Sequence, residues 1–317
     1  MSLINILIPA FKPAFLRQAI ESAGIQSRGN VSIVVSDDSA DGEATREVRN
    51  IQCAAPIRFV AGPRKGTHRN MMHLLDQVEP DCRYVHFLFD DDVLFPGFMD
   101  THLLALEASK SARVSVSARW AIDERNFIHG DFQVPDQVRN YSGKATAIDI
   151  SFLFRSTVPF MLNWLGEYSN AVWRREHVEA LRQMAFADIP YYGLGDVAQF
   201  LMAARAAPIV YLTEHLGAFR IHSQQQTFNR KSSALKAGYL AWAALAHIGS
   251  KLEILNDTEI EQCLRLVVQN VIKNYPDDAE MLSIADTLMT GTIQDRLLSF
   301  GSVWRQFSEK ILQPLLQ

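Results

Sequence analysis

The first 120 residues alternate short apolar runs with segments of helical spacing. The runs are rich in branched and aromatic residues, which predicts buried strands. Strand and helix patterns that alternate in this way predict an α/β fold with a mostly parallel, Rossmann-like sheet and helices on both faces. The predicted strands are 3–8, 31–35, 57–60, 84–89 and 114–118.

Two helices are predicted between these strands. Pro13 suits the first position of a helix, and apolar residues then recur on one face at 16, 19, 20 and 23. A second helix follows Gly66-Thr67, with Met71, Leu74, Leu75 and Val78 on one face.

The pattern changes along the rest of the chain. The middle is less regular, with strands predicted at 169–173, 209–212 and 216–221 and helices at 176–184 and 197–206. From about residue 231 the spacing is helical throughout. We therefore predict one domain over 1–228, with halves at 1–120 and 121–228, and a helical C-terminal region over 229–317.

Composition narrows the class of protein. The 317 residues are 48% hydrophobic and 21% charged, as in ordinary globular proteins. The net charge of −4 gives no reason to expect nucleic-acid binding. Three scattered cysteines argue against a disulfide framework or a zinc site and favour a reducing cytoplasm. We expect no signal peptide, and no apolar run reaches the ~18 residues of a spanning helix.

Three consecutive aspartates, Asp90-Asp91-Asp92, follow the predicted strand 84–89. Adjacent carboxylates repel one another unless a cation or proton offsets them, and divalent metals take such oxygen ligands. The alternative is an acidic turn that faces water. Ligands of parallel sheets bind beyond the carboxyl ends of the strands, where Pro9-Ala10-Phe11 and Asp37-Asp38 also lie. We expect the three segments to line one crevice.

The chain resembles family 2 glycosyltransferases of the GT-A fold, over about residues 3–225. The resemblance implies a bacterial, inverting enzyme of polysaccharide biosynthesis that uses a nucleotide-sugar donor. It rests on six motifs in the family's order and rough spacing: ILIPAFK, VVSDDSADG, HRN at 68–70, FDDDVLFP, LGD at 194–196 and FRIH at 219–222.

The resemblance implies a donor nucleotide site. Pro9 and Phe11 would line the nucleoside pocket, and Asp37 would accept the imide N–H of uracil or thymine. Arg69 would lie near the diphosphate, where a cation can pair with phosphate oxygens, and Asp90 would border the nucleotide. The alternatives are a turn role for Asp37 and a surface position for Arg69.

The resemblance also implies a metal site for Mn²⁺ or Mg²⁺, held by Asp91, Asp92 and His222. An imidazole ligand favours manganese. The family's first aspartate falls on Phe89, which leaves open whether Asp90 or Asp92 takes over its role. The alternative for His222 is a structural hydrogen bond.

Asp196 matches the family's general base, and Gly195 stands where the family has glutamate. The alternative for Asp196 is a helix cap. The function implied is transfer of a sugar from a UDP- or dTDP-sugar to a glycan or lipid-linked hydroxyl. The competing hypothesis is an inactive nucleotide-sugar-binding protein of the same fold, which the departures at Phe89 and Gly195 favour.

The last helix carries an apolar stripe flanked by Arg296, Arg305 and Lys310. Such a helix can lie on a membrane surface, which would place a cytoplasmic protein at the inner membrane face. The alternative is packing on the catalytic domain or on a second subunit of a homo-oligomer. The stripe consists of Trp304, Phe307, Ile311 and Leu315.

Overall fold

The computed structural model describes residues 3–26, 30–223, 225 and 232–316, with side chains up to 311. The chain forms two compact units, which we call the sheet unit and the helical unit. The sheet unit comprises Met1–Ile148, Leu165–Arg182 and Ala207–His222. The helical unit comprises Asp149–Trp164, Gln183–Ala206 and Ser223–Gln317. The predicted boundary at 228 lies outside the described residues.

The sheet unit is built on a ten-stranded mixed sheet. Its strands are β1 (Ile4–Ala10), β2 (Val31–Asp37), β3 (Ile57–Ala61), β4 (Tyr84–Phe87), β5 (Val93–Leu94), β6 (Val114–Ile122), β7 (Ile128–Asp131), β8 (Ala145–Ile148), β9 (Ala171–Arg174) and β12 (Ile209–Arg220). The strand order is β3-β2-β1-β4-β9-β6-β12-β5, with β7 paired to β6 and β8 paired to β12. The strands β1 to β4 run parallel, β9 is antiparallel to both β4 and β6, and β6 and β12 are parallel.

Helices cover this sheet through their apolar faces. The predicted face of the first helix, Leu16, Ala19, Ile20 and Ala23, is buried in the core together with the side chains of β1 and β2. The α/β architecture predicted from the sequence is therefore confirmed. The helices of the unit are α1 (Pro13–Gly24), α2 (Glu43–Arg46), α3 (Thr67–Asp76), α4 (Phe98–Ala108) and α5 (Asp136–Arg139), with 3₁₀ turns at Tyr168–Asn170 and Arg175–Arg182.

Three predicted elements differ from the structure. The strand expected to reach residue 89 ends at Phe87, because the chain turns there towards the acidic segment. The strands predicted at 209–212 and 216–221 form one strand, β12, whose register with β6 shifts on either side of His215. The helix predicted over 176–184 is a 3₁₀ helix.

The helical unit holds α6 to α11 and a short hairpin. Trp304 and Phe307 of the last helix are buried, and the indole Nε1 of Trp304 donates to the Pro190 carbonyl at 2.7 Å. These two members of the apolar stripe therefore pack within the unit. The elements are α6 (Ile150–Thr157), a 3₁₀ turn at Val158–Phe160, β10 (Ala185–Phe186), β11 (Ile189–Pro190), α7 (Gly195–Ala206), α8 (Ser233–Lys251), α9 (Asp257–Asn274), α10 (Ala279–Asp286) and α11 (Ile293–Leu316).

Within the described ranges, every helix is too short or too polar to cross a membrane.

Candidate functional site

The ends of β1, β2 and β4 meet at one edge of the sheet. Ala10 lies opposite Asp37 in the parallel register, and the Ala10 carbonyl accepts a hydrogen bond from the Asp38 backbone at 2.8 Å. The backbone N–H of Phe11 donates to Asp90 Oδ2 at 2.7 Å. The structure thus brings together the three segments that follow these strands, since parallel neighbours end at the same edge.

Asp90 holds the loop after β1 in place. Its Oδ2 also accepts the Lys12 N–H at 3.0 Å. Burial, and then the charge of Asp91, raise the pKa of Asp90 to about 6. Pro9 is buried in β1 just before this loop, and Phe11 in the loop has a side chain that is 54% exposed. An exposed ring beside a polar strand end is suited to contact a flat ligand.

Asp37 organises the turn that follows β2. Its Oδ1 accepts from the backbone and hydroxyl of Ser39, and its Oδ2 accepts from the backbone (2.9 Å) and hydroxyl (2.7 Å) of Thr45. Burial alone would raise the pKa of Asp37, but these hydrogen bonds outweigh it and the pKa is lowered. Asp37 therefore has a role in the turn, and its predicted contact with the base stays a prediction.

The neighbouring Asp38 makes contacts that the sequence did not predict. Its carboxylate accepts the backbone N–H groups of Arg64 and Gly66, the latter at 2.8 Å. Gly62 approaches the same turn so closely that an added Cβ would lie 2.8 Å from the Asp37 carbonyl oxygen. The two aspartates thus fix the loops after β2 and β3 against each other.

Asp91 and His222 form a pair. The imidazole Nε2 of His222 lies 3.0 Å from Asp91 Oδ2, and the ring packs 5.2 Å from the Phe15 ring. His222 is buried, whereas the Asp91 side chain retains 25% exposure. One carboxylate oxygen and one ring nitrogen therefore lie together at the accessible end of the acidic segment.

Asp92 is turned into the protein interior. Its side chain is 1% exposed, and Oδ1 accepts the Arg220 N–H at 3.1 Å. The Ser169 hydroxyl also hydrogen-bonds to this carboxylate and, like the Arg220 N–H, acts to lower its pKa. Burial, followed by the charge of Asp91, raises the pKa of Asp92 well above its usual range.

The three predicted metal ligands, Asp91, Asp92 and His222, do not form one cluster. Among the described residues, no group of three or more His, Cys, Asp or Glu side chains is arranged to hold a metal ion. The physical reason is that the side chain of Asp92, the residue before β5, is buried, whereas the side chain of Asp91 is partly exposed. Asp91 and His222 are the two predicted ligands that lie together, and a carboxylate oxygen and an imidazole nitrogen are ligand types that Mn²⁺ accepts.

Two further predicted positions lie in the sheet unit. The backbone N–H of Phe89 donates to the Ser169 hydroxyl at 3.0 Å, and its ring packs edge-on against Tyr168. Arg69 lies in the first turn of α3, and its Nε is buried without a hydrogen-bond partner among the described residues. An unsatisfied buried donor is costly, which favours an anionic ligand for this guanidinium.

Asp196 lies in the helical unit, at the second residue of α7. Its Oδ2 accepts from the Asn163 side-chain amide at 2.9 Å, and its Oδ1 accepts from the Val197 N–H at 2.8 Å. The amide of Asn163 thus fixes the orientation of the Asp196 carboxylate.

Comparison with known proteins gives a structural match only. No family model matches the sequence, and no curated protein matches it. The chain is similar to solved structures of S. aureus TarS. For TarS 1–349 in complex with UDP-GlcNAc, the TM-score is 0.55 at 14% identity, over 98% of this chain and 92% of that one. For the complex of the same fragment with UDP the TM-score is 0.53, again at 14% identity and with the same coverage.

A longer TarS structure gives a TM-score of 0.53 at 14% identity, and the match covers 98% of this chain and 55% of that chain. At this level of identity the likeness establishes the architecture. The fold is of the GT-A type, with a mostly parallel sheet, flanking helices and a helical C-terminal region.

Proposed function

We propose that the protein is a glycosyltransferase that uses a nucleotide-sugar donor. The donor is a UDP- or dTDP-sugar, and the acceptor is a hydroxyl of a glycan or a lipid-linked glycan, attacked with inversion at the anomeric carbon. The observation that carries this proposal is the meeting of the β1, β2 and β4 ends beside the Asp91–His222 pair. This arrangement occurs in a chain that shares its fold with a protein crystallised with UDP-GlcNAc.

The donor side of the reaction uses residues of the sheet unit. Phe11 offers a partly exposed ring to the base, and the positive charge of the Arg69 guanidinium would pair with the diphosphate. Asp91 and His222 would hold Mn²⁺ or Mg²⁺, which when bound offsets the charge that develops on the leaving nucleotide. Because Asp91 and His222 would supply two ligands to this metal, donor binding should depend on a divalent cation.

The acceptor side is assigned to Asp196. Its carboxylate would take the proton of the attacking hydroxyl as the new glycosidic bond forms. A carboxylate is a weak base, so the effect of Asp196 would depend on its orientation towards the acceptor. The Asn163 amide fixes the orientation of this carboxylate by donating to Oδ2.

The second candidate is a protein of the same fold that binds a nucleotide sugar without transferring it. Two observations favour it. Phe89 occupies a place where the resemblance expects a carboxylate, and Asp92 uses its Oδ1 to accept a backbone N–H in the interior. A site with fewer available carboxylates can bind a diphosphate and still stabilise its departure poorly.

A thermal-shift panel tests donor binding. UDP, dTDP, GDP and ADP are compared in MnCl₂ and in EDTA. UDP or dTDP with Mn²⁺ at a hundred times the dissociation constant should stabilise the protein by about 2.7 kcal/mol. Asp91→Asn should lose the Mn²⁺-dependent part of the shift, whereas Asp81→Asn, at an exposed turn position, should keep it. The absence of a shift with every nucleotide would refute both candidate functions.

Release of UDP or dTDP from a donor panel separates the two candidates. A transferase hydrolyses its donor slowly without acceptor and faster with a suitable acceptor, and EDTA stops both reactions. A protein that binds the donor with Mn²⁺ but releases no nucleotide with any donor and acceptor tried fits the second candidate.

A further inference from the structure

Arg220, the last residue of β12, has no exposed surface. Burying a guanidinium is costly unless its charge and its N–H groups are satisfied. Burial lowers the pKa of Arg220, and the carboxylates of Asp92, Asp91, Asp123 and Glu124 act in the opposite direction. The charge and the N–H groups of Arg220 must therefore be satisfied by the residues that pack around it.

One side of Arg220 supports the acidic segment. Its Nε donates to the Asp91 carbonyl at 2.8 Å, and its backbone N–H donates to Asp92 Oδ1 at 3.1 Å. Asp91 is the residue whose carboxylate lies 3.0 Å from His222 Nε2. The guanidinium thus contacts the backbone of the residue whose carboxylate pairs with His222.

The other nitrogens reach two separate segments. Nη1 donates to the Asp123 carbonyl at 2.9 Å and to Asn126 Oδ1 at 2.8 Å, in the turn between β6 and β7. Nη2 donates to Gln18 Oε1 on α1 at 2.8 Å. The guanidinium also stacks 4.4 Å over the ring of Phe15, the ring that packs against His222.

Only an arginine can make this set of contacts. The guanidinium is planar and sends its N–H groups in fixed directions, so its nitrogens can fix three segments relative to one another. A lysine keeps the charge but has a single nitrogen, which cannot reach all three segments.

We propose that Arg220 is a positioning residue for the candidate site. Its guanidinium fixes the acidic segment against α1 and the 123–126 turn, and so holds the Asp91 carboxylate beside the imidazole of His222. The catalytic meaning of this role rests on the proposed function, but the effect on the Asp91–His222 pair does not.

The test compares the ring ¹⁵N chemical shifts of His222 in wild type and in Arg220→Lys. The His222 signals are assigned as those that disappear in His222→Gln. In the ligand-free protein we expect these shifts to move towards those of Asp91→Asn. Arg174→Lys is the matched control, because Arg174 also donates to two backbone carbonyls, of Ala112 and Leu106, in the same unit. It should leave the His222 shifts unchanged. In UDP with Mn²⁺, Arg220→Lys should weaken binding by about tenfold to a hundredfold.

Failure of the positioning role and failure of the proposed function give different results. Unchanged His222 shifts in a folded Arg220→Lys protein would overturn the positioning role. A wild-type protein that binds no nucleoside diphosphate would remove the proposed function and leave the ¹⁵N result standing.

If Arg220→Lys does not fold, Gln18→Leu and Asn126→Ala each remove one outer contact of the guanidinium and should shift the His222 signals in part. No shift in either of these two variants also overturns the proposal.

Discussion

At the scale of the residue, substitution of Asp196 tests the proposed general base. Asp196→Asn keeps the shape of the side chain and a partner for Asn163 but removes the carboxylate. We expect transfer to fall by a factor of about 10² or more, with the Kd for the donor nearly unchanged. The measurements are nucleotide release under single turnover and donor titration by calorimetry.

The control for Asp196→Asn is Asp188→Asn, an aspartate of the same unit whose side chain is 96% exposed. It should leave both transfer and binding unaltered. Full turnover in Asp196→Asn would show that another group accepts the proton.

At the scale of the element, the loop that precedes α7 depends on a close approach to α8. Gly193 has φ +97°, and a Cβ there would lie 2.4 Å from the backbone nitrogen of Gly238. Gly193→Ala must strain the backbone and push the loop from the helix. We expect a loss of about 1–3 kcal/mol in the free energy of unfolding, measured by urea denaturation.

Gly130→Ala is the matched control for this prediction, because Gly130 lies in β7 with no atom within 4 Å of its added Cβ. It should change stability little. Equal stability of the two variants would mean that the loop can move away from α8 without cost.

At the scale of the whole molecule, buried histidines tie stability to pH. His86 and His102 are fully buried, and both rings pack against Phe98, at centroid distances of 4.9 and 4.3 Å. Burial lowers the pKa of His86 to about 4, and burial with the neighbouring His86 lowers the pKa of His102 well below its usual range. The unfolded chain protonates both near pH 6.5.

The direction of the pH dependence of stability follows from the number of protons that each state binds. Between pH 6.5 and 4 the unfolded state binds more protons at His86 than the folded state does, so the contribution of His86 is full above pH 6.5 and falls as the pH falls. Asp90, with its pKa raised to about 6, opposes this in the same range. The comparison of wild type with His86→Asn isolates the histidine.

We expect the stability curve of His86→Asn to be flatter by about 3 kcal/mol between pH 6.5 and 4, measured by urea denaturation at each pH. The side-chain amide of Asn can donate a hydrogen bond to the Ala171 carbonyl, which lies 2.8 Å from His86 Nδ1 in the wild-type protein. His129→Asn, at an exposed position of β7, is the control and should follow the wild-type curve. Parallel curves for wild type and His86→Asn would show that His86 does not titrate on unfolding.

The sequence alone determined the elements that depend on local patterns. The apolar runs gave β1, β2 and β3 to within about two residues, and the period of the apolar residues gave the buried face of α1. It also placed Asp90-Asp91-Asp92 at the end of a strand. These features follow from side-chain direction and burial within one segment, which the spacing of residues records.

Only the tertiary structure decided which carboxylates are available. Asp37 accepts hydrogen bonds from Ser39 and Thr45, and Asp92 is buried and accepts the Arg220 N–H. Asp91 pairs with His222, which lies 131 positions further along the chain. The role of Arg220 was equally hidden, because three distant segments supply its acceptors. Hydrogen bonding and desolvation depend on what packs against a side chain, and one sequence does not record those neighbours.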